Sequence, residues 1–124
     1  VETKAKPKAR KTPTLKLTYF NIEGVVEKVR LALVLGGIEF EDERVSFDKW
    51  QEMKPTTKYG QLPLMQIGDA EPLAQSGAML RWCGRLARLY PPSMALKIEE
   101  AIGLEEDIGK LVQPSLYVGM KPQE

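Results

Sequence analysis

A chain of 124 residues, 43% hydrophobic and 28% charged, is long enough for one domain with its own core. It holds no histidine and one cysteine. That excludes a Ser-His-Asp or Cys-His nucleophile, a histidine-based metal site and an internal disulfide, and it makes a structural zinc unexpected.

Net charge is +1 but uneven: residues 1–13 carry Lys4, Lys6, Lys8, Arg10 and Lys11 against Glu2, and the remainder is acidic. This basic tail has two prolines and no large apolar residue except Val1, so it is expected to be disordered alone. No aromatic interleaves its cations, so nucleic acid is not an expected partner. A start at Val1 fits removal of an organelle import sequence (plastid or mitochondrion), with a solvated linker as the plain alternative. A lone cysteine fits a reducing compartment, and the cytoplasm is the first expectation. No apolar run is long enough to span a bilayer as a helix.

Leu15 to Phe20 reads as a strand, with Leu15, Leu17 and Tyr19 on one face and Lys16, Thr18 and Phe20 on the other. Asn21-Ile22-Glu23-Gly24 makes a turn. Val25 to Leu35 follows as a helix, stopped by Gly36-Gly37. Ile38 to Val45 reads as a second strand, and strand-helix-strand within some thirty residues predicts a parallel pair. Residues 46–58 are polar and irregular, anchored by Trp50 and Met53.

Residues 59–76 carry the features that point to chemistry. Two short apolar strands flank Gly68-Asp69, which is hairpin chemistry. Pro63 opens the first of them, where a missing N–H removes a ladder bond. A cis Leu62-Pro63 bond would leave the Leu62 backbone to pair with an extended peptide, although general statistics favour trans. Ser76 then opens an amphipathic helix to about Leu89, with Ala78, Met79, Trp82, Cys83 and Leu86 on its apolar stripe. Gln75-Ser76 at that helix start is suited to holding a carboxylate, or Ser76 is simply its N-cap. Met94 to Val112 is a further helix, weakened by Gly103 and Gly109, and Leu116 to Met120 is apolar. Cys83 lies on the apolar stripe and reads as a buried small hydrophobe. Glu99, Glu100, Glu105, Glu106 and Asp107 read as a solvated face with no metal.

The order over residues 14–90 is β-α-β-α-β-β-α: an α/β, four-stranded mixed sheet with helices on both faces, the thioredoxin-like architecture. Residues 91–124 read as a linker and the start of an all-helical C-terminal domain.

Leu17-Thr18-Tyr19-Phe20-Asn21 with Gly24, Glu27 and Arg30 resembles the opening of tyrosine-type glutathione transferases, most nearly the sigma class. Trp50 with Lys54, Gly60-Gln61-Leu62-Pro63, and Gln75-Ser76 follow in the same order and at similar spacing. The resemblance covers residues 15–90. It implies a cis bond at Pro63 and a Leu62 backbone that pairs with the cysteinyl part of glutathione. It implies that Gln75 and Ser76 hold the γ-glutamyl carboxylate, and that Trp50 and Lys54 face the glycyl end beside Gln61. It also implies that Tyr19 donates its hydroxyl hydrogen to the sulfur. A thiol ionises near pH ~8.5 and a phenol near ~10, so a neutral tyrosine can donate to a thiolate. Lowering the thiol by about two units requires roughly 2.7 kcal/mol, within reach of one charge-assisted bond.

Departures from the family bear on activity. Glu23-Gly24-Val25 stands where the sigma class has Arg-Gly-Arg, so Val25 supplies no charge near the thiolate, and Gln61 lacks the positive charge often found there. Only about one helix of the family's helical domain is present. The expected function is therefore the glutathione-binding half of a transferase acting on a small apolar electrophile by conjugation or isomerisation. The alternative is a non-catalytic module docked in a larger assembly. A homodimer or a protein partner would meet the apolar stripe of the Met94–Val112 helix.

Overall fold

The structure is a computed structural model, and it describes residues 13–120. All but the last residue of the basic tail, residues 1–12, lies outside the described residues.

Alternation of apolar and polar residues makes Leu15–Phe20 a strand, β1. A short 3-10 turn, Gly24–Val26, leads into helix α1, Glu27–Leu35. Strand β2, Glu41–Val45, pairs parallel with β1, Lys16 opposite Glu41 and Phe20 opposite Val45. It is shorter than the expected Ile38–Val45: its pairing with β1 starts only at Glu41, opposite Lys16. Ile38 and Phe40 pack on the core from the connection instead.

Residues 46–58, expected to be irregular, contain helix α2, Phe47–Met53, followed by a 3-10 turn, Lys54–Thr56. The Ser46 hydroxyl caps α2, accepting from the Lys49 amide at 3.1 Å, and Asp48 sits in its first turn. Strands β3, Leu64–Ile67, and β4, Leu73–Ala74, form the expected hairpin, and β3 runs antiparallel to β1. The sheet order is β2-β1-β3-β4.

Helix α3 spans Ser76–Leu86 and is capped at Ala87, three residues before the expected end. Helices α1 and α3 cover one sheet face. The core there is Leu15, Leu17, Tyr19, Val26, Val29, Leu33, Met65, Met79 and Cys83. Glycine at position 36 lets α1 approach the end of α3: a Cβ there would stand 2.4 Å from that of Ala87. On the other face Phe20 stacks on Phe47 at 5.2 Å and meets Trp50 edge-on at 6.3 Å.

Helix α4 runs from Ala95 to Met120, straight through Gly103, Gly109 and Pro114. The sequence reading ended it at Val112. The apolar spacing of Ile108, Leu111, Val112 and Leu116 continues across the proline, and the helix forgoes one backbone bond there. This stripe is exposed. The first half of α4 is tied to the domain by polar contacts. Arg81 donates to both oxygens of Glu99 at 2.8 and 2.7 Å, the Tyr90 hydroxyl donates to Glu99 at 2.6 Å, and Lys28 pairs with Glu105 at 2.8 Å. Among the described residues no helix is long and apolar enough to cross a membrane.

The Arg81 guanidinium, with the Tyr90 hydroxyl second, lowers the Glu99 pKa from 4.5 to about 2. A carboxylate depressed by folding stabilises the fold above its unfolded value and loses that contribution as pH falls. The tie between α3 and α4 should therefore be complete above pH 4.5 and fail as pH drops toward about 2. Amide protection along residues 95–106, taken relative to the intrinsic exchange rate at each pH, should fall over that window in the native chain but not in Glu99→Gln.

Candidate functional site

Strand register builds the site. Thr18 on β1 lies opposite Leu64 on β3, and Leu64 lies opposite Ala74 on β4. The next residue outward on each strand is Tyr19, Pro63 and Gln75. These three therefore stand abreast at one end of the sheet. Adjacent strands are about 4.8 Å apart, so Tyr19 and Gln75 are separated by roughly 10 Å of sheet edge. Three extended residues span about the same length.

Tyr19 is 9% exposed, and its ring belongs to the core. Its hydroxyl lies against Gly24, which is exposed. A Cβ at position 24 would lie 2.7 Å from that oxygen, and Gly24 has φ +48°. Glycine is required twice over here, for the backbone and for the phenol beside it. Val25, beside it, is exposed and apolar.

The Leu62-Pro63 bond is cis. Leu62 lies two residues before the first paired residue of β3, and no turn or loop backbone bond joins its amide or carbonyl among the described residues. Gln75 adopts φ 84°, ψ 103°, a conformation rare outside glycine and often found at binding sites. Gln75, not Ser76, is the N-cap residue of α3, and its side chain makes no cap bond. Ser76 is the first helical residue, so the reading of Ser76 as N-cap is corrected. The opening amides of this eleven-residue helix take no side-chain cap from Gln75, which is exposed.

Trp50 is buried against Phe20, next to Tyr19 in sequence, while Lys54 is exposed with its stem 3.6 Å from the Cβ position of Gly60. Gln61 follows that glycine and is exposed. A groove of about 560 Å³ opens at this end, lined by Lys58, Tyr59, Gln61, Glu71, Leu73 and Gln75 among others. A larger recess of about 970 Å³ lies at the opposite end of the sheet, between Pro13–Lys16 and Gly36–Glu41. It collects none of the candidate residues. Among the described residues no group of three or more His, Cys, Asp or Glu side chains is placed to hold a metal.

One residue of this end was seen in the sequence only as part of a motif. Arg30 is buried and bonds to the carbonyls of Phe20 and Ile22. The signal available in the sequence is Glu27 and Arg30 three residues apart on one helix face.

The family model for the glutathione S-transferase N-terminal domain matches residues 15–85. The chain belongs to that family. It is 48% identical over 73 residues to glutathione S-transferase 1 of Ascaris suum, covering 59% of this chain and 35% of that protein. It is 36% identical over 116 residues to the class-mu 28 kDa glutathione S-transferase of Schistosoma japonicum, covering 89% of this chain and 55% of that one. The crystal structure of the glutathione S-transferase from Ascaris lumbricoides superposes with a TM-score of 0.79 at 35% identity, over 90% of this chain and 56% of that chain. The chain thus spans between a third and about half the length of these relatives.

Cys83 is fully buried, and burial pushes its thiol from 9.0 up to about 11. Such a thiol is a poor nucleophile at neutral pH. With thiolate about 100-fold scarcer than in the unfolded chain, reaction with a disulfide reagent at pH 8 should be slowed at least that much. Comparing native and urea-unfolded rates checks it, and fast native labelling would contradict it.

Proposed function

We propose that this domain binds glutathione extended across the ends of β1, β3 and β4 and holds its sulfur at the Tyr19 hydroxyl. The observation that carries the reading is the common register of Thr18, Leu64 and Ala74, which sets Tyr19, Pro63 and Gln75 in one row. In this reading the opening amides of α3, with the Gln75 and Ser76 side chains, receive the γ-glutamyl carboxylate. The Leu62 amide and carbonyl, outside the ladder, pair with the cysteinyl residue as an added strand would. Lys54 and Trp50, beyond Tyr19, bound the glycyl end with Gln61.

Tyr19 then donates its hydroxyl hydrogen to the sulfur. Hydrogen bonding to the charged form lowers the thiol pKa, and the released proton passes to solvent. The thiolate attacks an electrophilic carbon, forming a C–S bond, and the displaced electron pair leaves with a leaving group or is protonated on the adduct. The nucleophile comes from the substrate, which fits a chain without histidine whose one cysteine is buried. The tyrosine-type, sigma-like assignment rests on the stretch Leu17 to Asn21 with Gly24. The relatives above are transferases by name, which favours this reading over a docked, non-catalytic module.

The folded chain should be retained on immobilised glutathione and eluted by free glutathione. Tyr19→Phe should remain bound while conjugation of a model electrophile falls about 10–100-fold, the loss of one hydrogen bond to a charged group. A folded chain that is not retained, or a Tyr19→Phe variant with undiminished conjugation, contradicts the proposal.

A further inference from the structure

We propose that Arg81 is a positioning residue for the carboxylate end of the site, and that it links glutathione binding at α3 to the docking of α4. The proposal rests on the glutathione-binding reading above, in which the opening turn of α3 receives the γ-glutamyl carboxylate.

That turn is weak by its own chemistry. Gln75 gives it no side-chain cap, and its second residue is Gly77, the poorest helix former after proline. Uncapped helix ends fray, and a frayed turn does not present its amides together. Support comes from one turn further along. Arg81 Nη1 donates to the Gly77 carbonyl at 3.1 Å. Glycine at 77 leaves room for this contact, since a Cβ there would stand 3.1 Å from Nη1.

The same guanidinium is held from outside α3. Its Nε and Nη2 donate to the two oxygens of Glu99 on α4 at 2.8 and 2.7 Å. The Tyr90 hydroxyl donates to Glu99 at 2.6 Å, and the Arg85 guanidinium stands 4.8 Å from the centroid of the Tyr90 ring. Glu106, two turns further along α4, lies 3.7 Å from the Cβ position of Gly77. A lone exposed ion pair contributes little, but a fork that engages two carboxylate oxygens and a carbonyl, within a network, has a fixed direction. Helix α4 thus aims the side chain that braces the first turn of α3. When α4 leaves, Arg81 loses the partner that orients it, and the turn loses its brace. A ligand that needs the braced turn therefore favours the docked helix, and by reciprocity the docked helix favours the ligand by the same factor.

The test pairs calorimetric titration of glutathione with amide exchange in α4. Glu99→Gln, which frees Arg81, should raise the Kd about 5-fold or more, the lower end of coupling between sites. Arg81→Lys, whose ammonium lacks the planar fork, should do the same. Lys28→Gln breaks the Lys28–Glu105 tie of α4 without touching Arg81 and should leave the affinity unchanged. In the native chain, saturating glutathione should raise amide protection over residues 95–103 by about 5-fold. That gain should vanish in Glu99→Gln. Unchanged affinity in folded Glu99→Gln, or unchanged protection in the saturated native chain, overturns the proposal. A Lys28→Gln variant weakened as much as Glu99→Gln overturns the role of Arg81, since loosening α4 by any route would then suffice. Where Glu99→Gln does not fold, the protection measured on the native chain decides alone. A chain that binds glutathione without these effects defeats only the linkage, while one that does not bind defeats the site reading with it.

Discussion

The pairing of Thr18 with Leu64 and of Leu64 with Ala74 is the constraint on which the site depends. Three residues distant in sequence, Tyr19, Pro63 and Gln75, become neighbours because three strands end together. Register in a sheet with one buried face is strongly held, since a one-residue slip turns every side chain over. Here Leu15, Leu17 and Met65 enforce it, each at most 4% exposed beneath α1 and α3. The apolar core, to which the Tyr19 ring itself belongs, therefore sets the geometry of the row.

Much of this was legible from residue order. Alternation in Leu15–Phe20, the Gly68-Asp69 turn and the apolar stripe of α3 each carry their own local signal, and the four-strand mixed sheet follows from their sequence. What escaped the reading depended on partners. The length of β2 depends on where its pairing with β1 starts, at Glu41 opposite Lys16, which Ile38 and Phe40 cannot report. The α2 helix shows little periodicity over seven residues, and its signal lies in the Ser46 cap. The N-cap position fell to Gln75 and not Ser76, because Ser76 is already the first helical residue and Gln75 before it stands at φ 84°, which propensity does not encode. In α4 the apolar spacing outweighed two glycines and a proline.

Electrostatics divides the molecule into two working regions. Around Tyr19, a buried arginine is surrounded by backbone carbonyls and two half-buried acids. Along α4 the pairs with Arg81 and Lys28 are partly or fully exposed and hold a helix whose apolar stripe faces outward. The first region lies beneath the proposed glutathione site, and the second attaches a neighbouring element.

The central claim is that an extended tripeptide lies along the row from Tyr19 through Leu62 to Gln75. Amide chemical shifts followed through a glutathione titration test it residue by residue. The account predicts the largest changes at Leu62, Gln75 and Ser76, saturating together, with little change at Gly36–Glu41 around the larger recess. Shifts concentrated at that opposite end, or none at Leu62 while the chain still binds, would contradict it.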